Sequence, residues 1–264
     1  MGDELVFDDL VAYRGQALFT PVNATVKAGS LVAIVGPNGV GKTSLLSAVI
    51  GRGIRYTGRV LFNGQALDGL STRELARAVS FVGQDSFAPN ELFVHDVIGV
   101  GAQAGGRQST AHQVQDALQR LSITHLAKRR YARLSGGERQ LVQVARLLAQ
   151  NSPVMLLDEP VSALDLKHQL RVMQVLGELT RAGRIVMVTM HDLTQAVRWA
   201  SEVALMVPGR VVFGSPQDIL VPSHIRSVYG VSAETFHSPS GTPVINPLRV
   251  ACPTALDFSS TPTQ

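Results

Sequence analysis

The chain has 264 residues, 45% of them hydrophobic, and a net charge of +4. That is enough apolar material for the core of one large α/β domain, or of one domain with a modest appendage. Its apolar runs, such as Val154 to Leu157 and Ile185 to Val188, are strand-sized and far short of the roughly 18 residues that cross a bilayer. A single cysteine, Cys252, excludes an internal disulfide framework. The histidines at 95, 112, 125, 168, 191, 224 and 237 are too dispersed for a local metal motif, so no structural zinc site is expected. The acidic start Met1-Gly2-Asp3-Glu4 lacks the basic-then-apolar order of a secretory signal, and the expectation is a chain that stays in the cytoplasm. Basic residues are scattered; the one short cluster, Lys128-Arg129-Arg130, reads as a solvated face.

Glu4 to Val11 and Ala17 to Val26 mix apolar and polar residues at roughly strand period around a turn containing Gly15, which predicts an antiparallel pair. Tyr13, in this region, reads on its own as a half-exposed aromatic at a strand end, although a purine ring needs a flat partner to stack on. The apolar run Leu31 to Val35 then leads into Gly36-Pro37-Asn38-Gly39-Val40-Gly41-Lys42-Thr43, followed by the helical pattern of Ser44 to Ile50. A glycine-rich loop between strand and helix turns its backbone N–H groups around a nucleotide's phosphates. Lys42 then reaches the β and γ oxygens, and the Thr43 hydroxyl ligates Mg²⁺. The helix N-terminus adds favourable partial charge. A glycine-rich turn that binds nothing is the alternative, and eight fitted positions between strand and helix argue against it.

Gly58 to Gly64 reads as a further strand of the antiparallel layer, ending in an Asn-Gly turn; Thr72 to Ala78 reads as a short helix and Val79 to Val82 as a strand left through Gly83-Gln84-Asp85. From Ser86 to about Leu134 the pattern turns helical, with Val114, Ala117, Leu118 and Leu121 on one face, which predicts a helical insertion; Gly101 to Ser109 reads as a mobile loop within it. Leu134-Ser135-Gly136-Gly137-Glu138-Arg139-Gln140 opens a helix with Leu141, Val144, Ala145 and Leu148 on one face. Ser135 with Glu138 fits a capping box, but that leaves the paired glycines unexplained: they weaken a first turn while letting a phosphate approach its N–H groups.

Pro153 to Leu157 is an apolar strand that delivers Asp158 and Glu159 at its C-terminal edge, where α/β sheets hold ligands. Asp158 suits Mg²⁺, and Glu159 suits orienting or deprotonating an attacking water. Ser162 to Asp165 is read as the start of a helix running to Leu179, with Asp165 a possible cap. The strand Arg184 to Thr189 ends at Met190-His191-Asp192, which brings His191 to the same edge, within reach of a γ-phosphate or the attacking water. Val203 to Val207 and Gly209 to Gly214 read as a hairpin, followed by helical turns at Gln217 to Leu220 and Ser223 to Tyr229. Val231 to Pro247 reads as a small hairpin around Ser240-Gly241, and Ser259 to Gln264 as a disordered end. This divides the chain into a nucleotide-binding domain over 1–230, with a helical subdomain at about 86–150, and a C-terminal extension over 231–264.

Taken together, Gly36 to Thr43, Gln84, Leu134 to Gln140, the strand ending Asp158-Glu159, Ser162 to Asp165 and His191 resemble the nucleotide-binding subunit of ATP-binding cassette transporters over roughly residues 4 to 230. The Leu-Ser-Gly-Gly-Glu-Arg-Gln signature is the most specific element. The resemblance implies an α/β fold: a phosphate-loop NTPase core with a mixed or parallel sheet, an N-terminal antiparallel β subdomain and an inserted α-helical subdomain. It implies ATP and Mg²⁺ as cofactors and two subunits meeting head to tail, with ATP between the phosphate loop of one, Ser44 included, and Ser135-Gly136-Gly137 of the other. By the same likeness Tyr13 stacks on adenine, Gln84 contacts Mg²⁺ and water, Asp165 couples the two sites and His191 holds the γ-phosphate. The segment after Gln84 faces a separate transmembrane permease subunit, which places the chain peripherally on the cytoplasmic face of the cell membrane; a substrate-binding protein takes part indirectly.

A finer resemblance, in Gly137 to Arg146, Leu164-Asp165-Leu166, Thr189 to Leu193, and Gly214-Ser215-Pro216 through Val228-Tyr229-Gly230-Val231, is to ATPases of importers for iron–siderophore, haem and cobalamin-type metal chelates. Val161 departs from the Thr or Ser usual there, and Thr43-Ser44 reverses the common Ser-Thr order while keeping the Mg²⁺ hydroxyl. The alternative is a soluble cassette protein acting on nucleic acid or ribosomes. Relatives of that kind carry long coiled coils or two cassettes per chain, whereas this chain has one set of motifs and no heptad insertion, so no nucleic-acid partner is expected. A scaffold without turnover is disfavoured because Glu159, Gln84 and His191 are all present.

Overall fold

The computed structural model describes residues 2–83, 91–106, 110–239 and 241–251. The chain begins with β1 (Glu4–Arg14), the two-residue β2 (Gln16–Ala17) and β3 (Val22–Lys27), the expected antiparallel layer, with Pro21 dividing the second segment. Then β4 (Leu31–Val35) leads through the glycine-rich loop into α1 (Lys42–Val49). β5 (Arg55–Phe62) and β6 (Gln65–Ala66) form the Asn-Gly hairpin, and β5 pairs with β1. α2 (Thr72–Ala78), started by a capping box between Ser71 and Glu74, precedes β7 (Val79–Val82).

The helical insertion consists of α3 (Val94–Ala104), α4 (Ala111–Arg120) and α5 (Gly136–Gln150), and Val114, Ala117, Leu118 and Leu121 are all buried as their spacing predicts. Gly101 to Ala104 are not loop: they form the last turn of α3. A Cβ on Gly101 would lie 2.1 Å from the Arg146 carbonyl oxygen, so the glycine there permits close packing of α3 on α5. Residues 107–109, the rest of the expected loop, lie outside the described residues. The basic cluster is not simply a solvated face either. Arg129 pairs with Glu138 at 2.7 Å, and the Arg130 guanidinium lies 5.5 Å from the centre of the Phe93 ring.

The remaining elements are β8 (Val154–Leu157), α6 (Leu166–Arg181), β9 (Ile185–Thr189), α7 (Leu193–Trp199), β10 (Glu202–Val207), β11 (Arg210–Gly214), α8 (Pro216–Ile219), α9 (Pro222–Tyr229), β12 (Val231–His237) and β13 (Pro243–Val250). Residues 162–165 are turn ahead of α6 rather than its first residues, because Asp165 accepts the His168 N–H and caps the helix one residue before Leu166.

A six-stranded sheet in the order β11-β10-β4-β9-β8-β7 organises the molecule; its neighbours are parallel apart from the β10–β11 hairpin. Alternate side chains serve two cores, as the pleat requires. Leu31, Ala33 and Val35 of β4 and Met155 and Leu157 of β8 face α3 to α6. Val32, Ile34, Val154 and Leu156 face α1 and the antiparallel sheet. Burial on both faces explains why these strands read as unbroken apolar runs. The loops after β4, β8 and β9 all leave the C-terminal edge of this sheet, where the phosphate loop, Asp158-Glu159 and His191 meet.

Candidate functional site

Lys42, the first residue of α1, is buried, and its ammonium donates to the carbonyl oxygens of Gly36 (2.8 Å) and Pro37 (3.1 Å), which wraps the loop around it. Burial holds its pKa below 10.5, opposed by the charges of Glu159 and Asp158. Thr43 Oγ1 donates to Asp158 Oδ2 at 2.6 Å, joining α1 to the end of β8. Asp158 is 1% exposed, and its other oxygen accepts from Thr189 Oγ1 at 2.6 Å. The same Thr189 oxygen accepts the Glu159 N–H at 2.7 Å. Thr189 therefore fixes both acids from the neighbouring strand, a role that its place at the end of an apolar run hints at but does not specify.

Glu159 has φ 49°, in the left-handed region that side chains other than glycine rarely adopt. Its backbone is held there by Thr189, and by Ser162 Oγ and Gln140 Nε2, which donate to its carbonyl oxygen. Such a conformation costs about 1–3 kcal/mol and gathers at functional sites. It turns the side chain toward His191, whose Nε2 lies 2.5 Å from Glu159 Oε1.

A cavity of about 370 Å³ opens over these groups, lined by Asn38, Gly39, Gly41, Lys42, Thr43 and Ser44 on the loop side and by Glu159 and His191 opposite, with Arg14 and Leu18 completing the wall. Ser44 Oγ is buried without a hydrogen-bond partner among the described residues, an unspent hydroxyl beside the loop. Arg14 and Leu18 were not singled out by the sequence; the one signal was a cation next to Tyr13.

Tyr13 is half-buried on β1, with its hydroxyl 3.2 Å from Thr57 Oγ1 and the Arg55 guanidinium 5.5 Å from its ring centre; it does not line the cavity. Ser135 and Glu138 make the expected capping box at the start of α5. Neither Ser135, Gly136, Gly137 nor Asp165 lines the cavity of this chain. Asp165 caps α6 and also bonds the His168 ring at 2.8 Å. Gln84 lies outside the described residues.

A glycine-rich loop around a buried lysine, a hydroxyl and a buried carboxylate side by side, and an acid–histidine pair across the opening are an arrangement suited to binding and hydrolysing a nucleoside triphosphate. The family model described as ABC transporter matches residues 19–162. A hemin import ATP-binding protein, HmuV, of Bordetella pertussis is 39% identical over 243 residues, covering 87% of this chain and 93% of its own. A cobalamin import ATP-binding protein, BtuD, of Halobacterium salinarum is 35% identical, covering 94% of this chain and 64% of its own. Among solved structures, a chain described as a metal-chelate type ABC transporter in an inward-facing conformation matches with a TM-score of 0.73 and 26% identity, over 94% of this chain and 98% of the other. The chain belongs to the ABC transporter family, and it is an ATP-binding subunit that couples ATP hydrolysis to transport. No helix among the described residues is long and apolar enough to cross a membrane.

Proposed function

We propose that this chain hydrolyses ATP at a head-to-tail dimer interface to drive import of a metal chelate of the haem, iron–siderophore or cobalamin type through separate membrane permease subunits, at the cytoplasmic face of the membrane. The observation that carries the cargo class is similarity across most of the chain to relatives whose names specify hemin and cobalamin import. A substrate-binding protein delivers the chelate to the permease and meets this subunit only through it.

The phosphates sit in the loop Gly36 to Thr43, against Lys42 and the free hydroxyl of Ser44. Across the dimer they meet the partner's signature, Ser135-Gly136-Gly137. The two glycines differ in a way that supports this. A Cβ on Gly137 would lie 2.8 Å from the Ala163 carbonyl oxygen, whereas one on Gly136 would meet nothing within 4 Å. The chain's own packing accounts for Gly137, and an approaching phosphate accounts for Gly136.

Mg²⁺ fits the donor set present, a hydroxyl and a buried carboxylate 2.6 Å apart, both hard oxygen ligands. Thr43 and Asp158 would hold it, with Gln84, and when bound it neutralises developing charge on the phosphate oxygens. Glu159 takes the proton of the attacking water, and His191 holds Glu159 in position and contacts the γ-phosphate. Tyr13 supplies the ring for adenine, and Asp165 couples the two sites.

The test is affinity purification of the tagged Glu159→Gln chain from detergent-solubilised native membranes with ATP and Mg²⁺, with bound proteins identified by mass spectrometry. A polytopic membrane protein encoded beside a chelate-binding protein is the expected result. Reproducible recovery of ribosomal proteins or nucleic acid alone would overturn the transporter reading.

A further inference from the structure

β1 does not keep one alternation along its length. Leu5 and Phe7 lie in the core that contains Leu45 and Leu46 of α1, and so do Leu10 and Ala12, so the inward positions pass from odd to even numbers between Phe7 and Leu10. The change is a β-bulge. Between the pairs Phe7–Ala24 and Leu10–Val22, two residues of β1 stand opposite Asn23 alone, and between Asp8–Arg59 and Val11–Thr57 two stand opposite Gly58 alone. Asp9 is common to both gaps and has a left-handed φ of 50°.

Both neighbouring strands are fitted to this residue. Asn23 Oδ1 accepts the Asp9 N–H at 2.9 Å, and Asn23 Nδ2 donates to Asp9 Oδ1 at 2.7 Å, so one amide binds both the backbone and the side chain of Asp9. On the other side Gly58 has φ 81°, and a Cβ there would stand 2.2 Å from the Asp9 carbonyl oxygen. β1 is paired with β3 and β5 on either side of the bulge, so the bulge does not serve to blunt a free sheet edge.

Its effect falls on the end of the strand. Without an extra residue, Val11 and Tyr13 would continue on the side of Leu5 and Phe7, into the core. With it, Tyr13 takes the opposite side, where its hydroxyl lies 3.2 Å from Thr57 Oγ1 and the Arg55 guanidinium lies 5.5 Å from its ring centre. Arg14, in step with Leu10 and Ala12, reaches the wall of the phosphate cavity. We propose that the Asp9 bulge, closed by Asn23 and Gly58, turns Tyr13 out of the core as the platform for adenine, with Asp9 and Asn23 as positioning residues for nucleotide binding. The proposal rests on the reading that Tyr13 stacks on adenine. When the Asn23 bonds are lost, the end of β1 is less fixed and the ring must be ordered as adenine binds, which weakens the base's share of the affinity and spares that of the phosphates.

The experiment uses the full-length chain and the variants Asn23→Ala, Asp9→Asn, Tyr13→Ala and the double Tyr13→Ala/Asn23→Ala. Affinities for ATP and for inorganic tripolyphosphate, which has no base, are read by displacement of the fluorescent analogue TNP-ATP without Mg²⁺, beside steady-state ATPase kinetics and Tm. Tyr13→Ala is expected to weaken ATP about tenfold, as loss of one base–aromatic stack does. Asn23→Ala weakens it about three- to fivefold and raises KM with kcat near parental, and neither variant changes tripolyphosphate affinity. Asp9→Asn keeps an acceptor for Asn23 and a residue that tolerates the left-handed region, so it stays at parental affinity. In the double variant Asn23→Ala adds nothing to Tyr13→Ala, because the platform it sets is gone. ATP and tripolyphosphate weakened alike, an Asn23→Ala effect that persists without Tyr13, or unchanged ATP affinity in Asn23→Ala whatever its Tm would overturn the proposal. Failure of the adenine reading is distinct, because ATP affinity then does not respond to Tyr13→Ala.

Discussion

His191 Nε2 approaches Glu159 Oε1 to 2.5 Å, so that the two outward groups at the ends of adjacent strands β9 and β8 hold each other across the mouth of the cavity. Both side chains are partly exposed, His191 at 45% and Glu159 at 21%, so the pair contributes little to stability, in keeping with the chemical role proposed for it. His191→Ala is expected to lower kcat for ATP by about 10- to 100-fold with a smaller change in KM and an unchanged Tm. Steady-state kinetics with thermal melting checks this.

Thr189 is the hub behind that pair, donating to Asp158 and accepting from the Glu159 backbone. Thr189→Val keeps the shape but leaves an oxygen of a 1% exposed carboxylate without its donor. The expected cost is about 1–3 kcal/mol in urea unfolding, and ATP turnover should fall about tenfold. Thr189→Ser should restore most of both.

Much of this fold is legible in the sequence because its strands are buried on both faces or capped locally. α2 and β7 fall on the expected residues because Ser71 and Glu74 cap the helix and Val79 to Val82 supply β-branched and aromatic side chains. What escaped depends on contacts distant in sequence. Gly101 reads as a loop glycine until α5 is packed against it, Thr189 reads as one more strand residue, and Arg14 and Leu18 reach the cavity only through the tertiary fold. The left-handed Glu159 has no local signature; its conformation is imposed by the groups that hold its backbone.

Gly101→Ala tests the packing of α3 on α5. An added methyl would have to displace the Arg146 carbonyl, 2.1 Å away, which predicts a loss of about 1–3 kcal/mol. Chemical denaturation of the variant measures it, whereas Gly136→Ala, with open space around it, should leave stability within about 1 kcal/mol.

Glu202 predicts a pH dependence. Burial raises its pKa above 4.5, opposed by the charge of Lys27, and its Oε2 is buried with no hydrogen-bond partner among the described residues. The folded state therefore holds this proton more tightly than the unfolded chain. Stability from this residue is fully present below pH 4.5 and is lost as pH rises through the folded pKa. Glu202→Gln should raise Tm by about 2 °C at pH 8 and show no difference from the parent at acid pH, as read by melts across the range.

The central claim, that Glu159 is the base for ATP hydrolysis in a cassette otherwise built to hold the nucleotide, is tested most directly by ATP turnover in Glu159→Gln, with TNP-ATP binding measured beside it. The amide keeps the size of the side chain and removes its capacity to accept the proton, so turnover should fall at least about 100-fold while nucleotide affinity stays near that of the parent. Turnover close to that of the parent would contradict the assignment.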